Sequence, residues 1–162
     1  MRPLLVTCLL CALVGCGGPG EGHAHDAAGR HVEARGAWQA ELVDAAPAER
    51  ARLHHNIAVS ELRLGRLEQA EAAAAQAVEA GGERFEALLA FVRGNVAFER
   101  SKAMEHEATR PGGDPKAMEM ALMLAEDAQA RWQYAATRRA TDWPEARRNV
   151  ERALLRLKAL RE

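Results

Sequence analysis

Residues 55–82 read HNIAVSELRLGRLEQAEAAAAQAVEAGG, and this stretch decides the fold. Ala, Leu, Glu and Arg dominate it, and these residues favour helix. Beginning two residues before this stretch, Leu53, Ile57 and Leu64 follow steps that place them on one face of a helix. Gly65 interrupts the pattern once, as a helix breaker does at a turn. The stretch therefore predicts two antiparallel helices joined at Gly65.

Small residues fall at regular spacings along these two helices. Ala58 lies on the first helix, and Ala70 and Ala77 lie on the second. Two antiparallel helices can approach closely only where small side chains meet, so we expect Ala58 to pack against Ala70 and Ala77 to pack against the next helix. With Gly65 at the turn and Gly82 at the end, the stretch resembles a tetratricopeptide (TPR) repeat.

Two further copies of the pattern follow. The second begins near Ala87, and its first helix carries Gly94-Asn95, a pair typical of the family. Its second helix is displaced by an inserted loop and resumes at Lys116. The third copy is incomplete and is expected to cap the stack over 144–160. The repeats would then cover about 51–84 and 87–141, within a helical domain at 38–162.

The expected fold class is all-α, with antiparallel helix pairs stacked as a short TPR-like α-solenoid. No run of residues alternates apolar and polar side chains at period two, as a half-buried strand would. The predicted helices cover residues 37–45, 47–64, 67–80, 84–102, 115–140 and 144–160.

The start of the chain predicts a signal peptide over residues 1–15. One positive charge at Arg2 is followed by an apolar block that is too short to span a bilayer. Cys16 follows this block directly, and Leu13 lies three residues before it. The pattern resembles a bacterial lipobox, in which the cysteine sulfur receives diacylglycerol before cleavage. The resemblance implies that lipidated Cys16 attaches the mature protein to a membrane; an ordinary leader with a chance cysteine is the alternative.

The lipoprotein resemblance also implies a location. Gly17, rather than Asp, follows the cysteine, which implies a lipid anchor in the outer membrane of a bacterial cell envelope, facing the periplasm. Cys8 and Cys11 would leave with the leader, so no disulfide can form in the mature chain. The formal net charge of −1 does not suit a general nucleic-acid binder, and no nucleic-acid partner is expected.

Residues 16–37 are predicted to form a flexible tether, because Gly and Ala dominate and large apolar residues are almost missing. His23, His25, Asp26 and His31 have the chemistry of metal ligands, but a flexible segment cannot fix their geometry. We therefore predict a solvated linker and neither a metal nor a cofactor. Metal capture by this segment is a third hypothesis for function.

The TPR resemblance implies a concave groove lined by the first helices of successive repeats. Transfer of the family's groove positions gives Arg52, His55, Val59, Leu62, Arg63, Leu88, Phe91, Asn95, Phe98, Glu99, Glu145, Arg148, Arg152, Leu155 and Arg156. This set implies an apolar floor and a basic end. Alternatively, Phe91 and Phe98 pack against the long helix at 115–140, and the arginines form a solvated face.

The residues do not predict an enzyme. Ser60 and Ser101 are the only serines of the mature chain, and adjacent His54 and His55 point to different faces of one helix. We predict a lipid-anchored adaptor that binds a protein or peptide, with homo-oligomerisation possible. One alternative is a self-associating structural lipoprotein whose groove is filled by its own N-terminal helix near Trp38. The insertion and the third copy also resemble small TPR proteins of aerotolerance-type von Willebrand A-domain systems.

Overall fold

The computed structural model describes residues 20–138 and 143–162. The predicted signal peptide and the predicted lipidation site Cys16 lie outside these ranges, as do the last residues of the second predicted repeat. The described residues contain helices and no strand, so the prediction of an all-α repeat-like fold is confirmed. The helices are α1 (Glu21–Ala27), α2 (His31–Glu41), α3 (Pro47–Arg63), α4 (Leu67–Gly81), α5 (Glu86–Thr109), α6 (Lys116–Arg138) and α7 (Pro144–Arg161), with a 3-10 turn at Gly82–Phe85.

Helices α3 and α4 form the first antiparallel pair. Pro47 opens α3 at a position where its missing N–H costs no hydrogen bond. Gly65 joins the two helices with φ 72°, a left-handed conformation that glycine adopts without steric cost. Ala58 and Ala70 are fully buried in one core cluster, and Ala77 is also fully buried. The small side chains therefore lie inside the stack, where they let the helices approach.

Helices α5 and α6 form the second pair, and both are longer than the first two. α5 continues to Thr109, beyond the predicted end at 102, so the inserted loop shrinks to residues 110–115. Gly94 of α5 faces the ring of Trp132 on α6, and a Cβ at Gly94 would lie 2.6 Å from the ring atoms. Gly94 is thus required for the close contact between these helices.

Helix α7 packs against α6 and α5 and is the last helix of the described chain. Ala146, Ala153 and Leu157 are buried on its inner face. On its outer side, Leu154 and Leu155 are 50% and 69% exposed. The stack therefore ends in one helix with an apolar residue pair turned outward.

The prediction of a flexible tether at 16–37 is wrong for residues 21–37, which lie in α1, α2 and the turn between them. Trp38 supplies the missing apolar surface: it is 2% exposed, and its ring packs directly over Gly22. The rings of His23 and Trp38 also meet edge to face at 5.6 Å. Because this burial comes from a residue beyond the segment, local composition did not indicate it.

Candidate binding cleft

A cleft of about 700 Å³ crosses the face formed by α3, α5 and α7. It lies on the first helix of each repeat-like unit, where the TPR resemblance implied a groove. Its lining residues are Val59, Leu62, Arg63, Leu67, Leu88, Phe91, Asn95, Phe98, Glu99, Trp132, Trp143, Glu145, Asn149 and Arg152.

The cleft has an apolar floor built around Phe91. The ring of Phe91 stacks on Trp143, with 4.5 Å between centroids and 25° between planes. Leu62 of α3 and Leu88 of α5 continue this floor. Trp143 precedes Pro144 at the start of α7, so the stacking fixes where α7 begins relative to α5. The floor is therefore shaped by contacts between repeat-like units.

A network of side-chain hydrogen bonds crosses the base of the cleft between α5 and α7. Oδ1 of Asn95 accepts hydrogen bonds from Nε1 of Trp132 at 3.1 Å and from Nδ2 of Asn149 at 3.3 Å. Arg152 donates to Oδ1 of Asn149 at 3.2 Å, and its guanidinium lies 5.1 Å from the ring centroid of Phe98. These contacts orient the polar groups that a ligand would meet.

The opposite rim carries Arg63, which reaches back to α1. Its guanidinium pairs with the carboxylate of Asp26, which also accepts a hydrogen bond from Nδ1 of His31 at 3.0 Å. Burial alone would raise the pKa of Asp26, but the hydrogen bonds and positive charges of Arg63 and His31 outweigh it and lower that pKa. Arg63 therefore lines the cleft while its guanidinium pairs with a carboxylate of α1.

Most of the predicted groove residues come together in this cleft. They are Val59, Leu62, Arg63, Leu88, Phe91, Asn95, Phe98, Glu99, Glu145 and Arg152. Arg52 and His55 instead line a neighbouring cleft of about 540 Å³, which shares Leu88 with the first. Phe98 is mostly buried and packs against Trp132 at 5.2 Å, so its ring belongs to the core as much as to the cleft.

The three arginines of α7 that were predicted to give the groove its basic end have different surroundings. Arg152 reaches the cleft, whereas Arg148 is exposed and pairs with Glu145 of its own helix at 3.2 Å. Arg156, also predicted for the groove, does not line this cleft: it packs inward against α5, where it donates hydrogen bonds to Ser101 and Glu105. Its guanidinium lies 5.6 Å from the ring centroid of Phe98. Leu155 points outward and is not a cleft residue. The rim near α7 therefore carries both signs of charge rather than a basic end.

Sequence reasoning missed several cleft residues, namely Leu67, Trp132, Trp143 and Asn149. Trp132 and Leu67 lie on second helices, which the family pattern assigns to packing. Trp143 lies just before the third copy, so the transferred positions did not reach it.

The N-terminal helices do not occupy the cleft. No residue of α1 or α2 lines it within the described ranges, and Trp38 is buried against α1 and α3 instead. The helix near Trp38 therefore packs beside this cleft and does not fill it. The self-associating alternative stays a prediction. In the same part of the chain, no three His, Cys, Asp or Glu side chains converge as metal ligands.

Across the described residues, every helix is too short or too polar to cross a bilayer. Comparison of the chain with known protein families, with curated proteins and with solved structures gives no match. The cleft and the predicted leader are therefore the two features that point to a function.

Proposed function

We propose that this protein is a lipid-anchored, TPR-like adaptor that holds a peptide segment of a protein partner at the periplasmic face of a bacterial outer membrane. The observation that supports the proposal is the cleft on α3, α5 and α7, in which an aromatic and aliphatic floor is bordered by fixed polar groups. Binding sites combine these features, because apolar contact supplies affinity and a few placed polar groups supply specificity.

The borders of the cleft favour a peptide over a purely apolar ligand. Arg63 lies at one side, and Glu99, Glu145 and Arg152 lie at the other. A peptide with apolar side chains between charged residues would place its apolar side chains on Phe91. Its charged residues would then meet the charged side chains at these borders. Charged groups of both signs at the rim also reject segments with the wrong charge order.

The test of the cleft is partner retention by a variant that combines Phe91→Ala with Arg152→Glu. The mature protein, with its lipid retained, is purified from its own membranes and its partners are quantified by mass spectrometry. We expect the variant to lose the partner, and its affinity for the identified segment to fall at least about tenfold, as for a central aromatic anchor.

The matched control for this test is Met123→Ala, which removes an apolar side chain that is 60% exposed on α6 and lies outside the cleft. This control should retain the partner at the wild-type affinity. If the cleft variant also retains it, with helix content unchanged, then the partner binds elsewhere and the cleft proposal is refuted.

The membrane attachment is tested at Cys16. Cys16→Ser should move the protein from the membrane fraction to the soluble periplasmic fraction, because acyl chains contribute about 0.8 kcal/mol for each buried methylene. Cys11→Ser, a cysteine within the same leader, is the matched control and should leave the protein on the membrane. A processed Cys16→Ser protein that stays membrane-bound would show that lipidation is not the anchor.

A self-associating structural lipoprotein is the second candidate function. The exposed pair Leu154 and Leu155 at the end of the stack favours it. The co-purification distinguishes the candidates, because a structural lipoprotein returns only itself. A von Willebrand A-domain protein among the partners would instead support the aerotolerance-type system.

A further inference from the structure

The outer face of α7 carries a charge pattern that is complementary to itself. Arg147, Glu151, Lys158 and Glu162 are all exposed and lie within an arc of about 60° at 3.6 residues per turn. Leu154 and Leu155 lie at the centre of this series, one on each side of the charged strip. We call these six residues the α7 strip.

The order of charges along the α7 strip inverts about its centre. Glu151 and Lys158 lie equally far from the leucine pair on either side, and so do Arg147 and Glu162. Turning the helix end for end therefore places each charge opposite its complement. Two copies of α7 packed antiparallel would pair Glu151 with Lys158 and Arg147 with Glu162, each twice. The leucines of the two copies would meet at the middle.

We infer that two copies of this chain associate through the α7 strip as an antiparallel, two-fold symmetric dimer. A two-fold axis uses the same patch on both copies, which is what a self-complementary strip provides. The occupant is thus a second copy rather than an unrelated helix. Positive and negative side chains alternate along the α7 strip, and a second α7 helix in the reverse direction presents the opposite charge at each position. This inference is independent of partner binding in the cleft.

The inner face of α7 packs into the stack, and the residues of the α7 strip remain exposed to solvent. Ala146, Ala153 and Leu157 are buried toward α5 and α6, about 130° around the helix from the centre of the α7 strip. One edge of the strip, at Leu154, Lys158 and Glu162, borders a cleft shared with Glu126 and Gln129 of α6. In the α7 strip, Lys158 and Glu162 lie 3.9 Å apart, at 75% and 70% side-chain exposure. Such exposed pairs are easily exchanged for contacts with another chain, because each contributes about 0–1 kcal/mol.

The expected dimer is weak in free solution and stronger on a membrane. One helix pair buries less surface than a standard stable interface. Copies held on one membrane surface have a raised effective concentration, which favours association without new contacts. The ion pairs are exposed, so raising the ionic strength should weaken the dimer.

The experiment is sedimentation equilibrium of the mature, lipid-carrying protein in density-matched detergent. Wild type should show a monomer–dimer equilibrium. Glu151→Lys or Lys158→Glu alone should weaken association at least about tenfold, because by symmetry each change turns two attractive contacts into repulsive ones. An equimolar mixture of the two variants should associate again, since the lysine introduced in one copy would then face the glutamate introduced in the other.

The control is Lys116→Glu, the same charge change at an exposed position on α6, which should leave the equilibrium unchanged. Restoration in the mixture also shows that both variants are folded. The inference is overturned if wild type stays monomeric at the highest attainable concentration. It is equally overturned if the two single variants associate as wild type does, because the contact then lies elsewhere or involves another protein's helix.

Discussion

Replacement of Trp132 by alanine is expected to lower the free energy of unfolding by about 3–5 kcal/mol, the usual cost of removing a buried tryptophan. Trp132 is 1% exposed, and its ring packs against Phe98. Nε1 of the indole donates to the carbonyl O of Phe91 at 3.2 Å and to Oδ1 of Asn95 at 3.1 Å. The substitution opens a cavity, and it removes the N–H group that donates to both of these oxygen atoms. Urea unfolding followed by far-UV circular dichroism measures the change.

The contact between Trp132 and Gly94 can be tested by a substitution on the other helix of the pair. Gly94→Ala should destabilise the protein, although alanine is the better helix former by about 1 kcal/mol, because the new methyl group would overlap the indole ring. Gly36→Ala is the matched control: Gly36 also lies in a helix, but a Cβ there meets nothing within 4 Å. That change should be neutral or stabilising.

A Trp132→Phe variant separates the two contributions. It keeps most of the ring volume and loses the indole N–H, so its loss of stability should fall between wild type and Trp132→Ala. If Trp132→Ala unfolds at the wild-type urea concentration, or if Gly94→Ala and Gly36→Ala are equally stable, the α5–α6 contact does not hold the stack together.

The stack could be predicted from sequence because local signals agree with it. Pro47 and Gly65 mark helix boundaries by backbone chemistry, and Ala58 and Ala70 mark a close approach by side-chain size. Such signals depend on neighbours in the chain. The cleft floor could be predicted only in part: the TPR resemblance implied Phe91, but not Trp143, which stacks on it.

Features that depend on distant residues could not be predicted. Residues 21–37 have the composition of a linker, and they fold because Trp38 packs back over Gly22. The transferred positions placed Arg148, Arg152 and Arg156 together at the basic end of the groove, but sequence positions do not state where the neighbouring helix lies. The structure turns Arg156 inward, and only the position of α5 determines this.

Arg156→Ala is expected to loosen α7 with a loss of about 1.5–3 kcal/mol, the range for hydrogen bonds to charged groups. The Arg156 side chain is 14% exposed, and Nη2 donates to Oε2 of Glu105 at 2.9 Å. Nε donates to Oγ of Ser101 at 3.0 Å, and that hydroxyl donates onward to the carbonyl O of Ala121. The side chain therefore connects α7 to both helices of the second pair.

Hydrogen exchange of the α7 amides measures this effect, because a terminal helix can open without global unfolding. Arg156→Ala should exchange at least about tenfold faster in α7, the rate ratio that corresponds to about 1.4 kcal/mol. Arg156→Lys should be intermediate, since it keeps the charge near Glu105 and loses the fork that also reaches Ser101. Arg148→Ala, at an exposed position that pairs with Glu145 of the same helix, is the matched control and should exchange as wild type does. Equal protection in the Arg156→Ala and Arg148→Ala proteins would mean that the inward contacts of Arg156 do not hold α7 in place.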